Sequence, residues 1–318
     1  MTKNSRAANA CKISVLLLFS SILLGCNFAP SYQQPQDVVA ATVPDATPAP
    51  ALAPAVLAAA QADALQWLAD DRLRHTVALA LHNNRDLRIA ADNVAKARAQ
   101  YGIARADQLP SITAQLQGQR SRSSADVSNS TRLVNEQVSA SIGFASYEVD
   151  LWGRIRNLNA AAWQQFLQVQ ENRRGVEIAL IAEVANAWLT LAADQERLAL
   201  AQQTLDTREQ SYALMRRMFQ LGATSGLALA QNLGTVETAR GDVALYTAQL
   251  ARSHNALQLL VGAALAAEAL PPAGWLQAPA QAVWPALPQA LPSSVLLARP
   301  DVQAAEHALI AQHAHIGA

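Results

Sequence analysis

At 318 residues the chain is long enough to bury a sizeable core or to hold about two ordinary domains. Hydrophobic residues make up 51% but aromatics only 5%, which suits long alanine-rich helices in close contact better than a bulky globular core. Equal counts of 24 basic and 24 acidic residues lend no electrostatic support to a nucleic-acid partner.

Lys3, Arg6 and Lys12 precede the apolar run ISVLLLFSSILL, about half the length of a membrane-spanning helix. LLGC follows at Leu23 to Cys26, and the stretch resembles a bacterial lipobox. That resemblance implies a diacylglyceryl group on the Cys26 thiol, cleavage before it, and residues 1–25 as a lipoprotein signal peptide. Asn27, which is not aspartate, implies sorting to the outer membrane. The alternative is an ordinary signal peptide with a chance cysteine. Cleavage would remove three positive charges and Cys11, leaving 21 basic against 24 acidic residues, a net of about −3. Cys26 is then the only cysteine, which excludes an intramolecular disulfide and a cysteine metal cluster.

Proline placement divides the rest. Six prolines between Pro30 and Pro54 mark residues 26–66 as an extended Ala/Pro-rich tether. Pro110 stands alone, and seven more lie between Pro271 and Pro300, so residues 262–299 read as a Pro-rich connector. From Ser111 to Leu270 there is no proline, and long regular elements can run uninterrupted.

A helix is expected from about Trp67 to Gln108, within a segment 67–110 rich in Ala, Leu and Arg that stops ahead of Pro110. The period then changes. Ile112, Ala114, Leu116 and Gly118 alternate with Thr113, Gln115, Gln117 and Gln119, and Val138, Ala140, Ile142 and Phe144 alternate with Ser139, Ser141 and Gly143. These are two strands within 111–150, joined by the Ser/Asn-rich loop Ser121 to Asn135. Each runs about ten residues, the length at which a tilted strand crosses a bilayer. A soluble hairpin with one buried face fits the alternation equally.

Residues 151–261 return to a helical period. Val184, Leu191, Leu198, Leu205, Tyr212 and Phe219 recur every seven residues; beyond GATSG, Gly222 to Gly226, so do Leu229, Val236, Val243, Leu250 and Leu257. Two heptad seams around a glycine-bounded turn predict an antiparallel helical hairpin. Gln195, Gln202, Glu209 and Arg216 make the first seam narrow. Its first arm would run roughly 100 Å and its second about 52 Å. The Trp67 to Gln108 helix, about 63 Å, would cover the remainder if it stacked end to end with the second arm.

In ASYEVDLWGRIRN, Ala145 to Asn157, Glu148 and Asp150 fall on one face of a strand and invite a catalytic reading. No accompanying motif supplies a pocket or substrate geometry. Tyr147 and Trp152 beside them suit a membrane-water interface. GATSG matches neither a nucleophile elbow nor a P-loop. His313 and His315, two apart on a helix, point to different faces and suggest no metal site. No catalytic residue, metal ligand or cofactor site is assigned.

Taken together, LLGC with APSYQQP, NNRDLRIAADNVAKARAQYGIARADQLPSI, ASYEVDLWGRIRN, GATSGLALAQ and LARPDVQAAEHALIAQHAHIGA resemble the outer-membrane channels of tripartite efflux pumps. The branch is the TolC-like, NodT-type lipoprotein one, and the resemblance covers essentially the whole chain. YEVDLWGRIR is its most specific piece. The resemblance implies a mainly α fold: a long helical tunnel hairpin plus two transmembrane β-strands per repeat, and two tandem repeats. It implies a homotrimer in outer-membrane lipid, a passive duct for drugs or other small molecules, and no enzyme. It further implies a periplasmic adaptor and an inner-membrane pump as partners. By the same resemblance Gly222, Ala223, Thr224, Ser225 and Gly226 form the adaptor-contact tip, while Glu148, Asp150, Trp152 and Gly153 mark the strand-to-helix junction.

An offset of 215 pairs Asp86 with Asp301, Ala90 with Ala305, Ala99 with Ala314 and Gly102 with Gly317. Residues 300–318 therefore read as the start of a second repeat, truncated, and the family's gating residues have no counterpart in this sequence. The alternative is a non-channel periplasmic coiled-coil lipoprotein, such as a pump adaptor or scaffold. It shares the tether and hairpin but has no need of bilayer-length strands.

Overall fold

The computed structural model of the chain describes residues 30, 32–35, 68–122, 134–144, 147–277 and 293–318. The signal peptide with Cys26, nearly all of the tether, residues 123–133 of the loop and residues 278–292 of the connector lie outside the described residues. In chain order come helices α1 (Asp71–Asn83) and α2 (Arg85–Ala106), strands β1 (Ile112–Arg122) and β2 (Val134–Phe144), and helices α3 (Arg154–Gln220) and α4 (Gly226–Val261). Short 3-10 turns at Ala267–Ala269, Trp275–Gln277 and Ser293–Ala298 lead to α5 (Pro300–Ile316). Two compact units result. One comprises the chain up to Pro35, Ala95–Val169 and Ala304–Ala318; the other comprises Gln36–Val94 and Gln170–Gln303.

The second unit holds the core. Leu73, Val77 and Ala80 recur at helical spacing along α1 and pack with Leu180, Ile181, Val184, Trp188 and Leu191 of α3 and Leu257 and Val261 of α4. Each leucine or valine so buried contributes about 1.5–3 kcal/mol of transfer free energy. Trp188 is fully buried and organises the centre. Its Nε1 donates to Ala269 O at 3.0 Å, and its ring meets Trp275 edge-on, 4.9 Å between centroids. Trp275 Nε1 in turn donates to Asp70 Oδ2 at 2.9 Å. The other oxygen of Asp70 caps α1, accepting from the amides of Arg72 and Leu73 at 2.8 and 3.0 Å. One carboxylate thus fastens the connector to the helix start.

The expected continuous helix from Trp67 to Gln108 is corrected to two, broken at Asn84. Asn84 is extended (φ −61°, ψ 133°), and its amide donates to Ala80 O, which ends α1. Its Oδ1 accepts the Leu87 amide at 2.9 Å, which begins α2. Its Nδ2 donates to Leu260 O in the last turn of α4 at 2.8 Å. An asparagine can end, cap and tie three helices because its amide both donates and accepts. Of the expected end-to-end stacking, α1 instead lies beside the final turns of α4 in one shared core, whereas α2 starts where α4 ends, at the bond from Asn84 to Leu260 O.

Of the heptad positions, Val184, Leu191, Val236 and Leu257 are buried. Leu198, Leu205, Tyr212, Leu229, Val243 and Leu250 are half-buried, and Phe219 near the turn is 45% exposed. The seam forms and thins toward the turn. Polar rungs take over there, including the Arg240 to Glu209 ion pair at 2.9 Å.

In the first unit β1 and β2 pair antiparallel from Ile112 opposite Phe144 to Arg122 opposite Val134. Ala114 faces Ile142, Leu116 faces Ala140 and Gly118 faces Val138, so the small and apolar set shares one side; Gln115 opposite Ser141 and Gln117 opposite Ser139 share the other. The pairing runs further toward the loop than the alternation indicates, through an Arg120 to Glu136 ion pair at 3.4 Å. Every strand residue is solvent-exposed in the single chain. Tyr101 of α2 meets Trp163 of α3 at 5.1 Å, and Trp163 meets Phe166 at 5.3 Å.

Candidate functional site

Between β2 and α3 the chain makes an irregular connector, so Glu148 and Asp150 do not lie on a strand as expected. β2 ends at Phe144, before either residue. Leu151 N bonds Val149 O at 2.9 Å, and Gly153 takes φ 83°, a left-handed backbone that favours glycine. Glu148 and Asp150 are each used by an arginine. Arg154 grips Glu148 with two guanidinium nitrogens, Nε to Oε1 at 3.0 Å and Nη2 to Oε2. Asp150 Oδ2 accepts the Arg156 backbone amide at 2.9 Å, with Arg156 Nε 3.3 Å away.

The electrostatics follow from these contacts. The Arg154 hydrogen bond holds the Glu148 carboxyl below its usual value, and Glu148 raises that of Arg154 in return. Burial pushes Asp150 up but is outweighed by the amides of Arg156 and Ile155 and by the Arg156 guanidinium, so its net shift is downward. Both carboxylates stay charged at neutral pH, and each stabilises the start of α3, where the helix dipole favours anions. An open groove of about 570 Å³ runs past Leu109, Pro110, Tyr147, Glu148, Arg154 and Ile155. Tyr147 donates to Gln108 O at 3.4 Å. Trp152, Val149 and Tyr147 are half or more exposed.

The turn after α3 is built as a helix stop followed by a helix start. Gly222 has φ 73°; its amide donates to Phe219 O at 3.0 Å, and that of Ala223 to Met218 O at 2.8 Å. This is the Schellman pattern that closes a helix on a left-handed glycine. Ser225 then caps α4, its Oγ accepting the Ala228 amide at 3.2 Å. Gly226 is the first residue of α4, and a Cβ there would lie 3.7 Å from the Phe219 ring. Gly222, Ala223, Ser225 and Gly226 are exposed and Thr224 is half-buried. From the sequence Leu221 to Leu227 bound the turn, but a contact role falls only to the five small residues and none to the two leucines. Leu221 and Leu227 are 84% and 70% exposed. Their symmetric placement around GATSG is the signal that could have found them.

His313 and His315 have different neighbours. His313 faces Tyr32, whereas His315 Nε2 lies 3.4 Å from Gln165 Nε2. Among the described residues no three His, Cys, Asp or Glu side chains are grouped closely enough to hold a metal ion. The offset of 215 also carries Arg85 onto Pro300, the first residues of α2 and α5.

The family model described as outer membrane efflux protein matches residues 76–263, more than half of the chain. The chain belongs to the outer membrane efflux protein family. A relative named probable efflux pump outer membrane protein TtgC, from Pseudomonas putida, is 40% identical over 307 residues, 95% of this chain and 62% of the relative. Among solved structures, CusC matches with a TM-score of 0.71 at 32% identity, covering 92% of this chain and 63% of its own. The MtrE outer membrane channel of Neisseria gonorrhoeae, in its open state, matches with a TM-score of 0.67 at 32% identity and the same coverage. The chain spans a little under two thirds of the length of these relatives. The fold is that of TolC-like outer-membrane channels, mainly helical with a short strand pair. The outer membrane efflux protein family is one of channel components at the cell outer membrane, not one of enzymes.

Proposed function

We propose that this chain serves as the outer-membrane channel component of a tripartite, RND-type efflux system, a passive duct for drugs or other small molecules. The observation that carries the reading is the strand pair: Leu116, Val138, Ile142 and Phe144 are each more than 70% exposed in the single chain. They line one side of two strands of 11 residues each, the length of a tilted membrane strand. An apolar side left bare in the monomer suits lipid, and the opposite side of Gln115, Gln117 and Ser141 suits a water-filled lumen. A periplasmic coiled-coil scaffold has no use for such a pair.

On this reading the chain catalyses nothing and acts as a homotrimer. Cys26 carries the lipid, residues 147–153 stand at the membrane-water interface, and the turn 222–226 meets the periplasmic adaptor that links it to an inner-membrane pump. Support for the partners comes from the relatives, which are named as components of efflux pumps.

The test compares two arginine substitutions on neighbouring residues of β2, placed in the full-length channel. Ile142→Arg should cost about 2–4 kcal/mol near the bilayer midplane, while Ser141→Arg should be mild. Heat-modifiable outer-membrane assembly is the readout. Equal tolerance of both changes would overturn the membrane assignment.

A further inference from the structure

Tyr32 takes no part in the strand pair, the junction or the turn, yet it is held on two sides. Its hydroxyl donates to Glu306 Oε1 at 3.2 Å, and its ring meets the His313 imidazole edge-on, 5.6 Å between centroids. Glu306 and His313 lie seven residues apart on one face of α5, so two helical turns hold one aromatic side chain. Nδ1 of His313 is buried without a hydrogen-bond partner. Burial, followed by the Glu306 charge and hydrogen bond, pushes the Tyr32 phenol up from its ordinary value and keeps it a donor.

The same unit fixes the level of this contact. Asn157 in the first turn of α3 donates to Gly317 O just beyond α5 at 2.8 Å, and His307 Nδ1 lies 2.7 Å from Gln164 Oε1. Falling numbers on α5 meet rising numbers on α3, so the two run antiparallel. Measured along α5 from Gly317, His313 is about 6 Å and Glu306 about 17 Å away. The end of α5 is therefore level with the start of α3, a few residues beyond Tyr147 and Trp152.

We infer that Tyr32 is a clasp that ties the N-terminal segment to α5 and turns the long tether into a short leash for an acylated Cys26. Tyr32 lies six residue steps after Cys26, a reach of at most about 20 Å. That is enough to bring the lipid level with Trp152 and little farther. Without the clasp the next buried residue among the described ones is Leu68, since Gln33, Gln34 and Pro35 are exposed, and the reach becomes about 140 Å. The clasp brings lipid and strand pair into one leaflet. The leash rests on the proposed acylation of Cys26; the contact between Tyr32 and α5 does not.

The experiment separates the two. In the full chain, Gln33→Cys combined with Leu309→Cys leaves Tyr32, Glu306 and His313 in place and provides a thiol pair for a short bismaleimide, read as a cross-linked peptide by mass spectrometry. Cross-linking is expected both with Cys26 present and in Cys26→Ser, and its absence in both would overturn the clasp. Proteolysis near residue 32 should be at least tenfold faster in Tyr32→Ala and less affected in Tyr32→Phe. Equal rates in the wild type and Tyr32→Ala would also overturn it. Deleting Phe28 to Pro30 shortens the leash to about 10 Å. Cross-linking should then fall at least threefold in the acylated chain and recover in Cys26→Ser. An undiminished yield in the acylated chain overturns the leash. Cross-linking without palmitate label on Cys26 overturns the acylation reading, and the leash with it, while the clasp stands.

Discussion

Ser253 donates a 2.5 Å hydrogen bond to Asp194 Oδ2, joining α4 to α3 inside the helical hairpin. Asp194 is fully buried, and its other oxygen accepts from Arg197 at 2.8 Å. A buried carboxylate must keep its partners, because loss of one leaves charge in a poorly solvated place. Ser253→Ala should therefore destabilise by about 1–3 kcal/mol, and Asp194→Ala by a similar amount. The double variant should cost clearly less than the sum of the two. Additive costs in denaturant unfolding would show that the two side chains are not coupled.

Gly262 and Gly222 give a matched pair of backbone tests. Both have φ 73°, but a Cβ at Gly262 would come 2.7 Å from Asn83 O, whereas at Gly222 nothing lies within 4 Å. Gly222→Ala should cost only the left-handed strain, about 1–2 kcal/mol. Gly262→Ala adds a clash with backbone and should cost at least about 2 kcal/mol more than strain alone would. Thermal unfolding of the two variants side by side is the measurement. Equal losses would mean that the end of α1 at Asn83 moves aside.

Trp188 tests the join between connector and helices. Trp188→Ala should cost about 3–5 kcal/mol as a cavity opens beside Trp275. Trp188→Phe keeps an aromatic ring and loses the bond to Ala269 O. Thr76 also reaches that carbonyl, at 2.7 Å, so a loss of only about 1 kcal/mol is expected. A Phe variant as unstable as the Ala variant would make the hydrogen bond, not the packing, decisive.

Acid should loosen the start of α3. Asp150 and Glu148 both have folded pKa values below their ordinary ones. A depressed carboxylate contributes stability above the ordinary value, and loses it as pH falls through the lower folded value. Amide exchange at Ile155 and Arg156, corrected for intrinsic rates, should therefore lose protection below about pH 4. In Asp150→Asn that acid step should shrink. An unchanged acid step in Asp150→Asn would show that this carboxylate is not its source.

At the turn, Gly226→Trp should abolish adaptor cross-linking and drug efflux in the full-length channel while trimers persist. An added Cβ there would meet only the Phe219 ring, at 3.7 Å, an ordinary van der Waals contact, and Gly226 is exposed, so the indole has solvent to enter. Leu221→Ser and Leu227→Ser, at exposed positions, should weaken cross-linking without affecting stability. Undiminished efflux in all three would reduce the turn to a connector.

Periodicity made the strands and the hairpin legible. Leu116 and Ile142 alternate with Gln115 and Ser141 because a strand turns its side chains over at every residue, and Val184, Leu191 and Leu198 recur because a helix returns a face every seven. Gly222 before Ser225 announces a stop and a start for similarly local reasons. Asn84 offered a weaker cue. Asparagine is a good cap, but caps also occur where no helix breaks, and nothing local says that Leu260 O waits beside it. The partners of Asn84, Asp194 and Tyr32 lie 176, 59 and 274 residues away. Local sequence decides which faces are apolar and where helices can end. Which hydroxyl meets which carboxylate depends on how far each helix is rotated and slid against its neighbour, and in the unit that holds Asn84 and Asp194 only burial of the whole core around Trp188 sets that, because a shift of one residue turns a helical side chain about 100° away.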